Sequence, residues 1–163
     1  MGKKHHYDIA IIGGGMVGAS LAVSLMPAAR KYGLKVAVFE AYPLPPANSD
    51  ELQPSYDARS TALSYGTRLL LEQIGVWPAL SKQVAPIERI KVSDRGHFGA
   101  VRLDARSQQV PALGYVVENR WLGQVLLQFL AAEDSPVEIS CPTEVVGAEP
   151  RSHGVDLVVN RDG

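Results

Sequence analysis

An apolar run, Ile9-Ala10-Ile11-Ile12, leads directly into Gly13-x-Gly15-x-x-Gly18, and a stretch of small and apolar residues, Ala19 to Val23, follows. This order of strand, glycine turn and helix meets the steric and electrostatic demands of a dinucleotide pyrophosphate. The first glycine permits the tight turn, the second lets backbone approach the phosphates, and the third lets the helix pack close to the strand. Unpaired amides at the helix N-terminus, here Met16 and Val17 onward, then face the negative charge.

The surroundings of the motif strengthen it. A second apolar run, Leu34 to Phe39, ends at Glu40, which lies 22 positions after Gly18. An acid about 20 residues on, at the end of the second strand, is placed to accept hydrogen bonds from ribose hydroxyls. The competing reading is a glycine-rich strand-to-helix connection without a ligand. The preceding strand, the opening helix and the terminal acid together favour the ligand.

Composition bounds the function. The chain has 163 residues, suited to a single domain, and its hydrophobic share of 46% is enough to bury a core. Net charge is −1 and no Lys/Arg cluster stands out, so nothing points to nucleic acid. The single cysteine, Cys141, excludes an intramolecular disulfide framework and fits a reducing cytosol; in an apolar strand it reads as packing rather than a nucleophile. No apolar run approaches the ~18 residues of a membrane span. Met1 to His6 carries no signal-peptide pattern, and His5-His6 lacks the further ligands of a metal site, so the expected address is the cytoplasm.

Organisation follows from the breakers. Residues 7–41 read as a βαβ unit whose helix should end or kink near Met26, before Pro27. Residues 42–56, with Pro43, Pro45, Pro46 and Pro54, read as a loop long enough to serve function. A helix is expected over 60–74, with Leu63, Leu70 and Ile74 on one stripe and Gly75 as its stop. A short helical piece over 77–83 precedes two runs, 87–94 and 100–103, that alternate as a hairpin with one wet face; these elements make up a helix-and-hairpin region over 57–104. An extended stretch at 115–117, a helix over 120–132 and a β region over 137–159 complete the chain to 163. Arg161-Asp162-Gly163 reads as a hairpin turn with no return strand, and the expectation is therefore the front part of a longer protein.

With these elements in place, the glycine motif and Glu40 resemble the FAD-binding start of class A flavoprotein monooxygenases, an α/β, Rossmann-like domain of the glutathione-reductase and p-hydroxybenzoate-hydroxylase type. Asp57-Ala58-Arg59-Ser60-Thr61-Ala62-Leu63 looks like the Asp-x-Arg-x-x-Ala-Leu signature of the ubiquinone-biosynthesis hydroxylases. Val92-Ser93-Asp94-Arg95-Gly96-His97-x-Gly99 looks like a segment of the methoxyphenol hydroxylases within that group, and Gly114 to Leu122 also fits.

The resemblance implies FAD as cofactor, NAD(P)H as reductant, and hydroxylation of a polyprenylated (methoxy)phenol with O₂. Gly13, Gly15, Met16, Val17, Gly18 and Glu40 would hold the pyrophosphate and adenosine ribose. Arg59 and Arg120 would lie toward the phosphate or ribityl side, and the backbone at Val145 would contact adenine. Arg59 could instead pair with Asp57, and Arg120 with Glu118. The implied substrate tail leaves open a peripheral position at the inner membrane and contact with ubiquinone-pathway proteins. Two further family motifs, an Asp-Gly with a following Ser and a Gly-Asp, have no counterpart here, and no catalytic acid or base is named. The readings from other classes are an NAD-dependent dehydrogenase, which would show regular βα alternation after Glu40, a flavin disulfide reductase, which would need a second cysteine, and a stand-alone dinucleotide-binding module.

Overall fold

The computed structural model describes residues 5–44, 56–96 and 98–160. In chain order the elements are β1 (Ile9–Ile12), α1 (Met16–Tyr32), β2 (Val36–Phe39), β3 (Ser60–Ser64), α2 (Tyr65–Gln73) and α3 (Trp77–Leu80). A 3₁₀ turn (Ser81–Gln83) leads to β4 (Val84–Ile87), β5 (Arg89–Val92), β6 (Val101–Asp104) and β7 (Gly114–Glu118). Then come α4 (Asn119–Leu130), β8 (Val137–Ser140), β9 (Glu144–Arg151) and β10 (Gly154–Asn160). The chain divides into one unit of residues 1–57 and 123–163 and a second of residues 58–122.

The first unit is built on a parallel sheet in the order β1-β2-β8, with Ile9 opposite Val36 and Val36 opposite Val137. All four residues of β2 are buried, as a strand with neighbours on both edges and cover on its faces requires. Helix α1 lies against this sheet through Ala19, Ala22, Val23, Met26 and Ala29. Small residues on that stripe let the helix come close. An antiparallel β9-β10 hairpin completes the unit, with a register shift between Val158 and Val159.

Helix α1 runs through Pro27 to Tyr32, where Gly33 closes it in the left-handed conformation (φ 67°). The expected stop near Met26 is thereby corrected. Proline removes one ladder hydrogen bond and crowds the preceding turn. The buried face on either side of it, Val23 and Met26 before and Ala29 after, keeps the helix on the sheet.

The second unit holds an antiparallel sheet in the order β3-β7-β4 and a separate β5-β6 hairpin. Residues 60–64 form a strand here, not the start of a helix as their spacing suggested. Ser60 to Ser64 pair residue by residue with Glu118 to Gly114. The close approach is possible because position 114 is glycine: a Cβ there would lie 2.4 Å from the Leu63 carbonyl oxygen. Ser64 then caps α2, its hydroxyl accepting from the Thr67 N–H at 3.1 Å. With the helix starting at Tyr65, Leu71 turns inward and Leu70 is 61% exposed, so the expected stripe is also corrected.

The runs read as a hairpin at 87–94 and 100–103 divide differently. Val84–Ile87 forms β4, a strand the sequence did not announce, and pairs with β7, while β5 and β6 make the hairpin itself. Within this unit Trp77 packs edge-on against Tyr115 at 4.7 Å, and the Arg68 guanidinium sits 5.5 Å from the Trp77 ring. The turn expected at 161–163, most of the 42–56 loop and His97 lie outside the described residues.

Candidate dinucleotide site

The first unit brings Gly13, Gly15, Gly18 and Glu40 together at the C-terminal ends of β1 and β2. The Gly13 N–H donates to the Phe39 carbonyl (2.8 Å), which carries the β1-β2 ladder one residue past the strand. Gly13 then turns at φ 95°, a conformation costly for any residue with a Cβ. At Gly18 a Cβ would stand 1.9 Å from the Gly13 carbonyl oxygen and 3.3 Å from Ile11 Cγ2. The helix backbone therefore lies directly on the turn, and the third glycine of the motif is a steric requirement of this packing.

Helix α1 opens at Gly15 with no side chain capping it and no acidic residue in its first turn. By contrast, α2 is capped by Ser64. The first-turn amides of α1 are thus left for an anion, with the helix dipole favouring negative charge there. Val17, in that first turn, is 84% exposed, and Ile12 beside the turn is also exposed.

Glu40 is buried, and its carboxylate is aimed by its neighbours. Oε2 accepts from the Gly14 N–H at 2.6 Å and Oε1 from the Tyr42 N–H at 2.9 Å. Its backbone is held from β8: the Glu40 N–H donates to the Ser140 carbonyl (3.0 Å) and the Thr143 N–H to the Glu40 carbonyl (2.7 Å). Each carboxylate oxygen keeps a further lone pair for a ribose hydroxyl. A Cβ on Gly14 would press on the Glu40 side chain at 3.2 Å, so this middle glycine also has a steric reason. The last member of the group, Tyr56, is 3% exposed and donates its hydroxyl to the Gly14 carbonyl at 2.5 Å. Burial, and then the Glu40 charge, push its phenol above the usual tyrosine range.

The other expected residues fall elsewhere. Val145 is on β9, two residues beyond Thr143. Arg59 and Arg120 belong to the second unit, flanking one end of the β3-β7 pair: the Asn119 N–H donates to the Arg59 carbonyl at 2.8 Å. Arg120 Nε pairs with Glu118 Oε2 at 2.6 Å, both half-exposed, which is the alternative pairing the sequence allowed. Arg59 precedes a strand rather than a helix, so it caps no helix of its own. Cys141 lies just past β8; its thiol donates to the Tyr42 carbonyl at 3.0 Å, and burial pushes it up from the usual thiol range.

Gly14, Tyr56 and Gly123 are the parts of the site that sequence reasoning missed. A helical glycine such as Gly123 is a signal of close approach, and here a Cβ would lie 2.1 Å from the Tyr56 ring. Nothing local in the sequence marks Tyr56.

The sequence profile of the family described as FAD dependent oxidoreductase matches residues 8–148. The chain belongs to that family. FAD is accordingly the dinucleotide its members use, and the cradle above fits it: an uncapped helix start, a turn that a Cβ would fill, and a buried carboxylate placed for ribose. The 3-demethoxyubiquinol 3-hydroxylase of Escherichia coli is 38% identical over 126 residues, covering 77% of this chain and 30% of that protein. The ubiquinone hydroxylase UbiL of Rhodospirillum rubrum is 38% identical over 120 residues, covering 74% of this chain and 26% of its own length. This chain of the FAD-dependent oxidoreductase family thus spans less than a third of the curated relatives it matches. Among solved structures, the flavin-dependent monooxygenase PieE in complex with FAD and substrate superposes with a TM-score of 0.69 at 15% identity, over 97% of this chain and 27% of that one, which shows the shared fold. Among the described residues no helix is long and apolar enough to cross a membrane, and no group of three or more His, Cys, Asp or Glu could hold a metal ion.

Proposed function

We propose that this chain supplies the ADP-binding part of an FAD- and NAD(P)H-dependent hydroxylase acting on a polyprenylated (methoxy)phenol in ubiquinone biosynthesis. The observation that carries the reading is the joining of Gly14 to Glu40 at 2.6 Å beneath an uncapped helix start. This puts the ribose-binding acid and the pyrophosphate-binding turn in one rigid group. The names of the 38%-identical relatives supply the substrate class.

When bound, FAD supplies the redox chemistry, taking electrons from NAD(P)H and delivering oxygen from O₂ to the ring. The residues of this chain bind and orient. The amides of Gly15, Met16 and Val17 face the pyrophosphate, Gly13 and Gly18 let the backbone approach it, and Glu40 accepts from the adenosine ribose. Val145 is assigned to the adenine side. Arg59 and Arg120 are assigned to the phosphate or ribityl side, where a planar guanidinium suits anionic oxygens. The polyprenyl tail of the proposed substrate supports a cytoplasmic position peripheral to the inner membrane, in reach of other ubiquinone-pathway proteins.

The test is a titration of the protein with FAD and with NAD, followed by flavin fluorescence and by thermal shift. FAD at 100 times its dissociation constant adds roughly 2.7 kcal/mol of stability. FAD binding tighter than NAD binding is the expected result for this chain, without turnover of a prenylated phenol by the chain on its own. NAD(P)H consumption dependent on that phenol is expected of the full-length enzyme. Tighter binding of NAD than of FAD would return the chain to the dehydrogenase class.

A further inference from the structure

We propose that Tyr56 is a positioning residue that aims the Gly15 N–H at the pyrophosphate, by holding the Gly14 carbonyl on the opposite side of the same peptide plane. The inference rests on the FAD reading and extends it to a residue outside the glycine motif.

A triple glycine holds its own conformation weakly. The Gly14–Gly15 peptide has a glycine on each side, so a concerted rotation about Gly14 ψ and Gly15 φ meets no Cβ and turns the plane over at little steric expense. The C=O and N–H of a trans peptide point in opposite directions. If the plane turns over, the Gly15 N–H leaves the ligand and a carbonyl oxygen faces the phosphates in its place. The glycines that permit close approach therefore also make the turn unreliable unless something outside it holds the plane.

Two side chains do so. Glu40 Oε2 accepts from the Gly14 N–H at 2.6 Å and fixes the Gly13–Gly14 plane. The Tyr56 hydroxyl donates to the Gly14 carbonyl at 2.5 Å and fixes the Gly14–Gly15 plane. Tyr56 can act as a fixed post because its ring is buried with the backbone of Gly123 against its face. The phenol also keeps its proton at any working pH, since burial and the Glu40 charge disfavour the phenolate. Packing alone needs only the ring, so phenylalanine would satisfy it. The hydroxyl is the part that reports on the turn.

Tyr56→Phe in the whole protein separates the two roles. The expected result is about a tenfold loss of affinity for both FAD and ADP, the half that carries the pyrophosphate, as one hydrogen bond's contribution predicts. In ligand-free ¹H–¹⁵N spectra the Gly15 amide of the variant should broaden or double as the plane samples both orientations. A packing role alone would leave both affinities unchanged and the melting temperature close to wild type, because phenylalanine keeps the ring. FAD and ADP binding within about twofold of wild type overturns the proposal. Should the variant not fold, wild-type spectra decide it: the Gly15 amide must shift on adding ADP, and an unmoved resonance overturns it. Wild-type protein that binds neither FAD nor ADP would overturn the FAD reading and this inference with it. Wild-type binding with an unaffected variant would overturn this inference alone.

Discussion

The glycine turn of the first unit and the β5-β6 hairpin of the second are both short backbone reversals rich in glycine, yet they are held in opposite ways. In the turn, Gly14 has both backbone polar groups taken by buried side chains from distant positions, and Gly18 has no room for a Cβ. In the hairpin, Gly96 and Gly99 also adopt positive φ, but a Cβ at either would meet nothing within 4 Å. Ile90, Val92, Val101 and Leu103 share one face of it, and Val92 and Val101 are more than half exposed. Phe98 at its tip is fully exposed. The same residue type thus serves two ends: in the turn close packing demands glycine at positions 14 and 18 and positive φ demands it at 13, whereas in the hairpin only local backbone conformation demands it.

The largest effect should come from filling the turn. Gly18→Ala drives a methyl into the Gly13 carbonyl oxygen, with backbone on both sides, and should lower stability by at least about 3 kcal/mol while abolishing FAD binding. A urea melt and a fluorescence titration check it. A stable variant that keeps FAD would erase the contrast with the hairpin.

Next in size is Glu40→Ala. It strands the buried Gly14 N–H, for a loss of about 1–3 kcal/mol. Glu40→Gln keeps an acceptor and should recover much of that stability, yet it should still bind FAD more weakly because the ribose loses a charged acceptor. Equal stability of the two variants in urea would mean that the Gly14 hydrogen bond contributes little.

A smaller effect is expected at high pH. The folded Tyr56 has a raised pKa, whereas an unfolded tyrosine ionises near 10. Its contribution is complete below about pH 10 and is lost above it, as the unfolded state releases a proton that the folded state retains. The slope is up to about 1.4 kcal/mol per pH unit for one group. Tyr56→Phe should flatten the alkaline limb of stability against pH by that amount, and parallel limbs for the two proteins would show that Tyr56 ionises as readily when folded.

The smallest effect belongs to the hairpin. Val92→Thr or Val101→Thr should change stability by no more than about 0.5 kcal/mol and leave FAD affinity unchanged. A loss above about 2 kcal/mol would mean that this face is covered in the working protein and would bring the two regions closer in character.

What could be read from the residues was what lies within a few dozen positions of itself. Strand, glycine turn, helix and second strand with its terminal acid are encoded in one continuous segment, so β1, α1, β2 and Glu40 were legible with little ambiguity, as was the β5-β6 alternation. Local rules misled where a distant partner outweighed them. Residues 60–64 have helix-compatible spacing, but pairing with 114–118 makes them a strand, and the sheet burial of α1 carries it through Pro27.

Sequence alone determined the strand, glycine turn, helix and second strand, and that Gly13, Gly15, Gly18 and Glu40 belong together, because those demands are steric and local. Only the tertiary structure decided how this group is held. A tyrosine hydroxyl 42 positions away meets the Gly14 carbonyl because Gly123, far along the chain, leaves room for its ring. Such a contact depends on the packing of three separate segments, and no local pattern in any one of them encodes it.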